Sequence, residues 1–316
     1  MPGRWMDMAE DGLDRGSDRG VLTGSMTMDE AILWLRANPS WADLVADAYL
    51  GRDVAASADR FLRSAEFAEV KRLLGPMLDH AVVADIGAGV GIASYALYKS
   101  GASRVLAVEP DASDEVGRGA IERLRAETSV PIEIVEGWGE ALPLPDASID
   151  VVYSRQVLHH AADLGRFMSE VARILRPGGV MLACREHVVD DESQKQAFLD
   201  SHPVHRLAGG ENAYSLPQYL AAIAANGLAL TAVLGPWDSV INAFPAVRST
   251  DELADYPARR LEARFGSLGR GVSRLPGVAA LVWWRIRCPR PGRMYSFLCS
   301  KEPGDDSGPH IGDGVA

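Results

Sequence analysis

Residues 82–101 read VVADIGAGVGIASYALYKSG, and this run constrains the fold more than any other part of the chain. Apolar residues of strand character meet glycines at 87, 89 and 91, and a helical stretch follows. A buried strand that turns through glycine into a helix belongs to an open parallel sheet, whose ligands sit beyond the carboxyl ends of the strands where strand order reverses. The spacing is not the dinucleotide fingerprint G-x-G-x-x-G, because Ile92 stands where the third glycine would fall, and no Gly-Lys-Ser/Thr follows to make a phosphate loop. Asp85, two residues ahead of the first glycine, repels a phosphate and suits an ammonium group. The next apolar run starts at Arg104 and ends in Glu109, an acid placed to hydrogen-bond two ribose hydroxyls. The expected ligand therefore carries both a cation and a ribose.

Seven short apolar runs (AVVADIG, RVLAVEP, IEIVEG, IDVVYS, GGVMLACREH, LALTAVLG and MYSFLCSK) alternate with helical segments. This predicts an α/β fold with a mostly parallel sheet and helices on both faces. Residues 28–76 read as a helical preface: DEAILWLRA, then WADLVADAYL, then one long third helix over DVAASADRFLRSAEFAEVKRLLG. About fifty residues separate the last two strands, so a helical insertion is expected at 238–285. There Trp283 and Trp284 pack it on the sheet or, alternatively, cover a sugar ring or anchor a dimer, and Arg259, Arg260 and Arg264 form a solvated face or pair with an acidic substrate. The ends, 1–27 and 301–316, lack any period and read as disordered tails, leaving a single domain over 28–300. A formal net charge of -11 disfavours nucleic acid and anionic membrane as partners and leaves small molecules. Cys184, Cys288 and Cys299 form no CxxC pair, which argues against a disulfide framework or structural zinc and for a reducing cytoplasm. No run approaches the roughly 20 apolar residues of a membrane span, so a cytoplasmic protein is expected. Oligomeric state stays open, a homodimer included.

Four motifs, Asp85 to Gly91, Glu109-Pro110, GWGEALPLPDASIDVVYSRQVLHH (137–160) and EVARILRPGG (170–179), resemble in order those of the class I S-adenosylmethionine-dependent methyltransferases. The resemblance covers residues 80–183. It implies a Rossmann-like, doubly wound, seven-stranded sheet with the last strand antiparallel, and S-adenosylmethionine lying across the ends of the first, second and fourth strands. Carried over by position, Asp85, Gly87, Ala88, Gly89 and Gly91 would lie beside the methionine part, and Glu109 with Pro110 at the ribose. Trp138, Gly139 and Glu140 would border the adenine, and Arg155 would close the fourth strand beside the cofactor. Trp138 departs from the family pattern, which commonly has an acid there; an indole can stack on adenine but cannot accept a hydrogen bond from it.

Methyl transfer depends mainly on alignment, worth roughly 7–11 kcal/mol, with a positioned base adding about 10²–10⁴-fold. His187 or His205 is the expected base, oriented by Glu186, with His160 a further candidate. Arg185 at the end of the fifth strand, and His202, Glu211, Asn212 and Tyr214 in HPVHRLAGGENAY, are the expected substrate wall; a solvated loop is the bland alternative. REHV, the His-Pro-x-His and GGENAY also resemble a bacterial subgroup of the same family, which supplies no substrate. His202 and His205 with Glu211 are metal-ligating types, but with no third histidine or fixed helix behind them no metal is expected. The expected function is methyl transfer to an oxygen or nitrogen of a polar small molecule such as a sugar or glycan precursor. The alternatives are a catalytically silent binding protein that kept the fold, favoured by Trp138, and a nicotinamide-dependent oxidoreductase.

Overall fold

The computed structural model describes residues 24–286 and 290–303. Most of both expected tails, and Cys288, lie outside that range. Both tail boundaries move toward the chain ends: Thr27 is the N-cap of the first helix, and Lys301 is still in the last strand.

All seven apolar runs are strands: β1 (Val82–Ile86), β2 (Arg104–Val108), β3 (Ile132–Val135), β4 (Ile149–Arg155), β5 (Leu175–Val188), β6 (Leu228–Leu234) and β7 (Arg293–Lys301). They form one sheet in the order β3-β2-β1-β4-β5-β7-β6. Pairings from β3 through β5 are parallel, while β7 runs antiparallel to both β5 and β6. The central strands are apolar on both faces because helices cover both. Strand order reverses between β1 and β4, so the crevice lies at their carboxyl ends.

The preface is α1 (Met28–Ala37), α2 (Ala42–Asp47), α3 (Val54–Leu62) and α4 (Ala65–Leu74). The single long helix expected over 53–75 is therefore two. Ser64 breaks it: its hydroxyl donates to the Phe61 carbonyl and accepts from the Phe67 amide at 3.0 Å, a local alternative to the helical ladder. Phe61, Phe67, Val70 and Leu74 from this pair are buried against α5 (Ile92–Lys99), α6 (Arg118–Thr128) and one sheet face. The other face is covered by α7 (Leu164–Ile174) and α10 (Leu216–Ala225), which follows α8 (Glu192–Ser201) and α9 (Pro203–Ala208).

The insertion is helical as expected: α11 (Val240–Ala243), α12 (Thr250–Ala254), α13 (Tyr256–Val272) and α14 (Val278–Ile286). Trp283 packs it, with Trp237 and Tyr256 at ring separations of 4.4–6.3 Å, whereas Trp284 is exposed.

Preface, sheet and insertion meet at one buried carboxylate. Glu66, on α4, accepts from Arg155 Nε at 2.7 Å and Nη2 at 3.3 Å, and Arg185 Nε lies 3.9 Å away. Arg185 Nη1 donates to the carbonyls of Ile241 and Phe244 at 2.5 and 2.9 Å. Both residues depart from their expected roles. Arg155 gives its guanidinium to Glu66 rather than to a cofactor, and Arg185, 5% exposed, serves backbone carbonyls rather than a substrate. Removing one partner of a buried pair leaves the other charge uncompensated, at a cost of about 3–5 kcal/mol. Glu66→Ala should lower unfolding stability by that amount in urea titrations, well beyond the effect of Glu133→Ala at the exposed Arg104–Glu133 pair.

Candidate functional site

The glycine turn is stitched to β2. Gly87 and Ala88 amides donate to the Val108 carbonyl at 2.8 and 3.2 Å, so the loop lies flat across the end of the sheet. Gly87 has φ of +67°, and a Cβ there would come within 2.5 Å of the Val157 side chain. Only glycine lets the loop pass that close to the segment after β4.

Glu109 faces the loop from β2. Its Oε2 accepts from the Gly89 amide at 2.7 Å and its Oε1 from the Asp111 amide at 3.0 Å. Arg118 donates to the carbonyls of Glu109 and Pro110, which fixes the turn below the acid. Burial raises the Glu109 carboxyl above the usual range, opposed by the two amides. Asp85 is buried at the end of β1, where its Oδ2 accepts from the Ser94 hydroxyl at 2.6 Å. Burial pushes it up to about 7, against that hydrogen bond.

The 137–140 loop borders the same crevice. Trp138 is 67% exposed, so its indole neither fills nor blocks the site. Gly139 has no room for a side chain, since a Cβ would meet the Phe167 ring. Glu140 accepts from the Ala162 amide at 2.8 Å, so its carboxylate holds the chain ahead of α7.

Across the crevice lies a cluster of histidines. Glu186 accepts from the amides of Val157 and His159, both at 3.1 Å, and meets His159 Nδ1 at 2.8 Å. It therefore orients His159, not His187 or His205 as expected. His160 Nδ1 lies 3.0 Å from the Gly210 carbonyl and His187 Nδ1 2.8 Å from the Gly292 carbonyl. Both partners are acceptors only, so each Nδ1 carries its proton and each Nε2 a lone pair.

Glu211 completes the cluster. Its Oε2 lies 3.4 Å from His159 Nε2 and 3.7 Å from His160 Nε2, and its Oε1 3.5 Å from His202 Nδ1. His159, His160 and Glu211 offer ligand atoms all within 4.8 Å of one another. This is a set that could hold a metal, where none was expected. Its histidines are His159 and His160 rather than His202 and His205: His202 meets only the other carboxylate oxygen of Glu211, and His205 Nδ1 is buried without a hydrogen-bond partner on α9.

Charge in the cluster is uneven. For His159 burial favours the neutral ring, but Glu186 and Glu211 outweigh it and push the imidazolium up to about 9. Burial lowers His160, and it lowers His187 well below the ordinary imidazole range, with the His159 charge adding to both. Burial also lowers His202. Glu211 is lowered despite its burial, by His159, His202 and His160 around it.

The remaining substrate candidates divide. Tyr214 donates its hydroxyl to the Ala161 carbonyl, which ties the 211–214 segment to the histidine turn. Asn212 lies between Glu211 and Tyr214, half-buried. His159 was visible in the sequence as the middle of Leu158-His159-His160, but its partner Glu186 is 27 residues away, which no spacing rule connects.

The methyltransferase-domain family model matches residues 84–183, close to the 80–183 expected. A Mycolicibacterium smegmatis protein named "Probable S-adenosylmethionine-dependent methyltransferase" is 53% identical over 51 residues, 16% of this chain and 20% of that one. Dimethylglycine N-methyltransferase of Parasynechococcus marenigrum is 33% identical over 109 residues, 34% of this chain and 38% of its own. The matches span 19–39% of the lengths of the curated relatives compared. In fold, the chain resembles geranyl diphosphate C-methyltransferase of Streptomyces coelicolor, with a TM-score of 0.53 at 14% identity over 88% of this chain and 99% of the other. Sheet order, glycine turn, strand-end acid and family match agree: residues 84–183 are a methyltransferase domain of the class I S-adenosylmethionine-dependent family.

Proposed function

We propose that this chain transfers the methyl group of S-adenosylmethionine to an oxygen or nitrogen of a polar small molecule. The observation that carries the reading is Glu109, a buried acid held by two backbone amides at the end of β2 and facing the glycine turn. The fit to the cofactor is chemical: Asp85 supplies a buried anion for an ammonium group, Glu109 accepts from ribose hydroxyls, and no lysine or arginine stands in the glycine turn to ask for a phosphate.

When bound, S-adenosylmethionine supplies a methyl on a positive sulfur, ready for in-line displacement. The methyl would pass to the acceptor's lone pair with the carbon–sulfur bonding electrons left on sulfur, and a hydroxyl acceptor would give up its proton to the protein. Glu109 and the Gly87–Gly91 backbone hold and orient the cofactor from one side. His187, neutral and with its Nδ1 proton held by the Gly292 carbonyl, has an Nε2 lone pair on the other side that can take the proton, while His160 and Glu211 wall the acceptor beside it. The charge layout supports the assignment: on the cofactor side Asp85 and Glu109 stand without imidazoles, while on the acceptor side Glu186 and Glu211 stand among histidines. A sugar or glycan precursor suits this polar wall. Relatives by name act on other acceptors, among them a sterol 24-C-methyltransferase and a phthiotriol/phenolphthiotriol dimycocerosates methyltransferase. No observation favours a silent scaffold, since the exposed Trp138 leaves the crevice open. Among the described residues no helix is long and apolar enough to cross a membrane.

Calorimetric titration with S-adenosylmethionine and S-adenosylhomocysteine should give micromolar binding, and Glu109→Ala should weaken both by about tenfold or more, about 1.4 kcal/mol. Absence of binding to wild type would overturn the reading. A second outcome concerns pH. The folded-state carboxyl of Asp85 titrates near 7 instead of in the ordinary range, so the ligand-free fold loses stability as pH rises toward and through that value. The same ionisation creates the anion for the cofactor. Affinity should therefore rise between about pH 6 and pH 8 in wild type, and Asp85→Asn should flatten that rise while raising the ligand-free Tm at about pH 8.

A further inference from the structure

The geometry points to a divalent metal site formed by His159, His160 and Glu211. We propose that it holds one transition-metal ion of the zinc or cobalt kind, and that the ion's open positions receive an oxygen of the acceptor; this second half rests on the methyl-transfer reading above.

Three observations converge. The first is spacing. Metal–ligand bonds of about 2.0–2.2 Å put tetrahedral ligand atoms roughly 3.4 Å apart. Glu211 Oε2 lies 3.4 Å from His159 Nε2 and 3.7 Å from His160 Nε2, and all three ligand atoms lie within 4.8 Å of one another, so the carboxylate already stands at ligand spacing from both imidazoles. The second is an acceptor met only at a distance. The Glu211 side chain is 9% exposed and its Oε2 makes no close hydrogen bond; what faces it is His159 Nε2 at 3.4 Å and His160 Nε2 at 3.7 Å. An ion bound between them would replace the proton on His159 and give the buried oxygen a close partner.

The third is the support behind the ligands. Metal-binding histidines usually donate their other ring N–H to a carboxylate or backbone carbonyl, which fixes the tautomer and turns the lone pair toward the ion. Here Glu186 holds His159 Nδ1 at 2.8 Å and the Gly210 carbonyl holds His160 Nδ1 at 3.0 Å. Glu186 is itself held by the Val157 and His159 amides. Glu211 Oε1 leans on His202 at 3.5 Å, leaving Oε2 for the ion.

Two imidazoles and one carboxylate suit first-row metals such as zinc, and three protein ligands leave positions open to solvent or substrate, as in catalytic metal sites. His160 is half-exposed, so the open side faces the crevice. The acceptor class follows: a hydroxyl flanked by a second oxygen, able to chelate. Bound through both oxygens, it would be fixed against the methyl, and its hydroxyl proton would leave more easily, passing to His187.

The test uses the full chain and Co2+, whose visible absorption reports the ligand set, with Zn2+ binding measured by equilibrium dialysis. Wild type should bind one Co2+ per chain. His160→Ala and Glu211→Gln should weaken binding by about tenfold or more, and Glu186→Gln, which only positions His159, by about 10–100-fold. Asp85→Asn, on the cofactor side, should bind Co2+ like wild type. Circular dichroism melting establishes that each variant is folded, and the half-exposed His160→Ala keeps the test alive if Glu211→Gln does not fold. Wild type binding neither metal, or folded ligand variants titrating like wild type, would overturn the site. If Co2+ binds but S-adenosylhomocysteine does not, the metal site stands and the methyl-transfer reading falls; the reverse removes this inference alone.

Discussion

A single carboxylate, Glu66, decides how three parts of the chain meet. It comes from the preface, it binds Arg155 at the carboxyl end of β4, and Arg185 beside it on β5 reaches the carbonyls that end α11. Tyr49 and Phe61 stack on the Arg155 guanidinium and Phe244 on that of Arg185, so these cations are shielded by π faces as well as paired. Charges this deep are tolerated only with close geometry, and that geometry fixes the ends of the two strands that carry the histidine turn and Glu186. The crevice thus takes its shape from an ion cluster that touches no ligand.

Seen this way, the two rims of the crevice have complementary jobs. Asp85 and Glu109 are kept buried with few positive neighbours, so their carboxyls are raised and wait for a cationic, hydroxyl-bearing ligand. On the opposite rim Glu186 and Glu211 are buried among histidines, so Glu211 is lowered and His159 raised. Buried acids titrate in opposite directions here because Glu211 has imidazoles within reach and Asp85 and Glu109 do not.

The sheet was legible because each strand is a short apolar run bounded by turn residues, and hydrophobic runs survive into structure whatever packs on them. The glycine turn and Glu109 were legible because close backbone approach leaves few alternatives to glycine. Arg155 and Arg185 were misread for a physical reason: a cation at a strand end looks alike in sequence whether it meets a ligand or Glu66, 89 residues earlier for Arg155. The break at Ser64 was hidden because the apolar period continues through it on both sides. The role of Glu186 depended on where β5 sets its side chain against the turn after β4, a relation between two strands that neither one encodes alone.

The antiparallel β7 has a consequence for how the chain is made. Among the described residues β6 pairs only with β7, and β7 also covers the outer edge of β5. During synthesis, therefore, β1 to β5 can assemble while the insertion is still being translated, but β5 keeps an open edge and β6 has no partner until residues 293–301 emerge. Open edges of this kind invite pairing with other chains. The acidic net charge of the chain sets nascent copies against one another during that interval, and so guards the edge of β5 until β7 covers it.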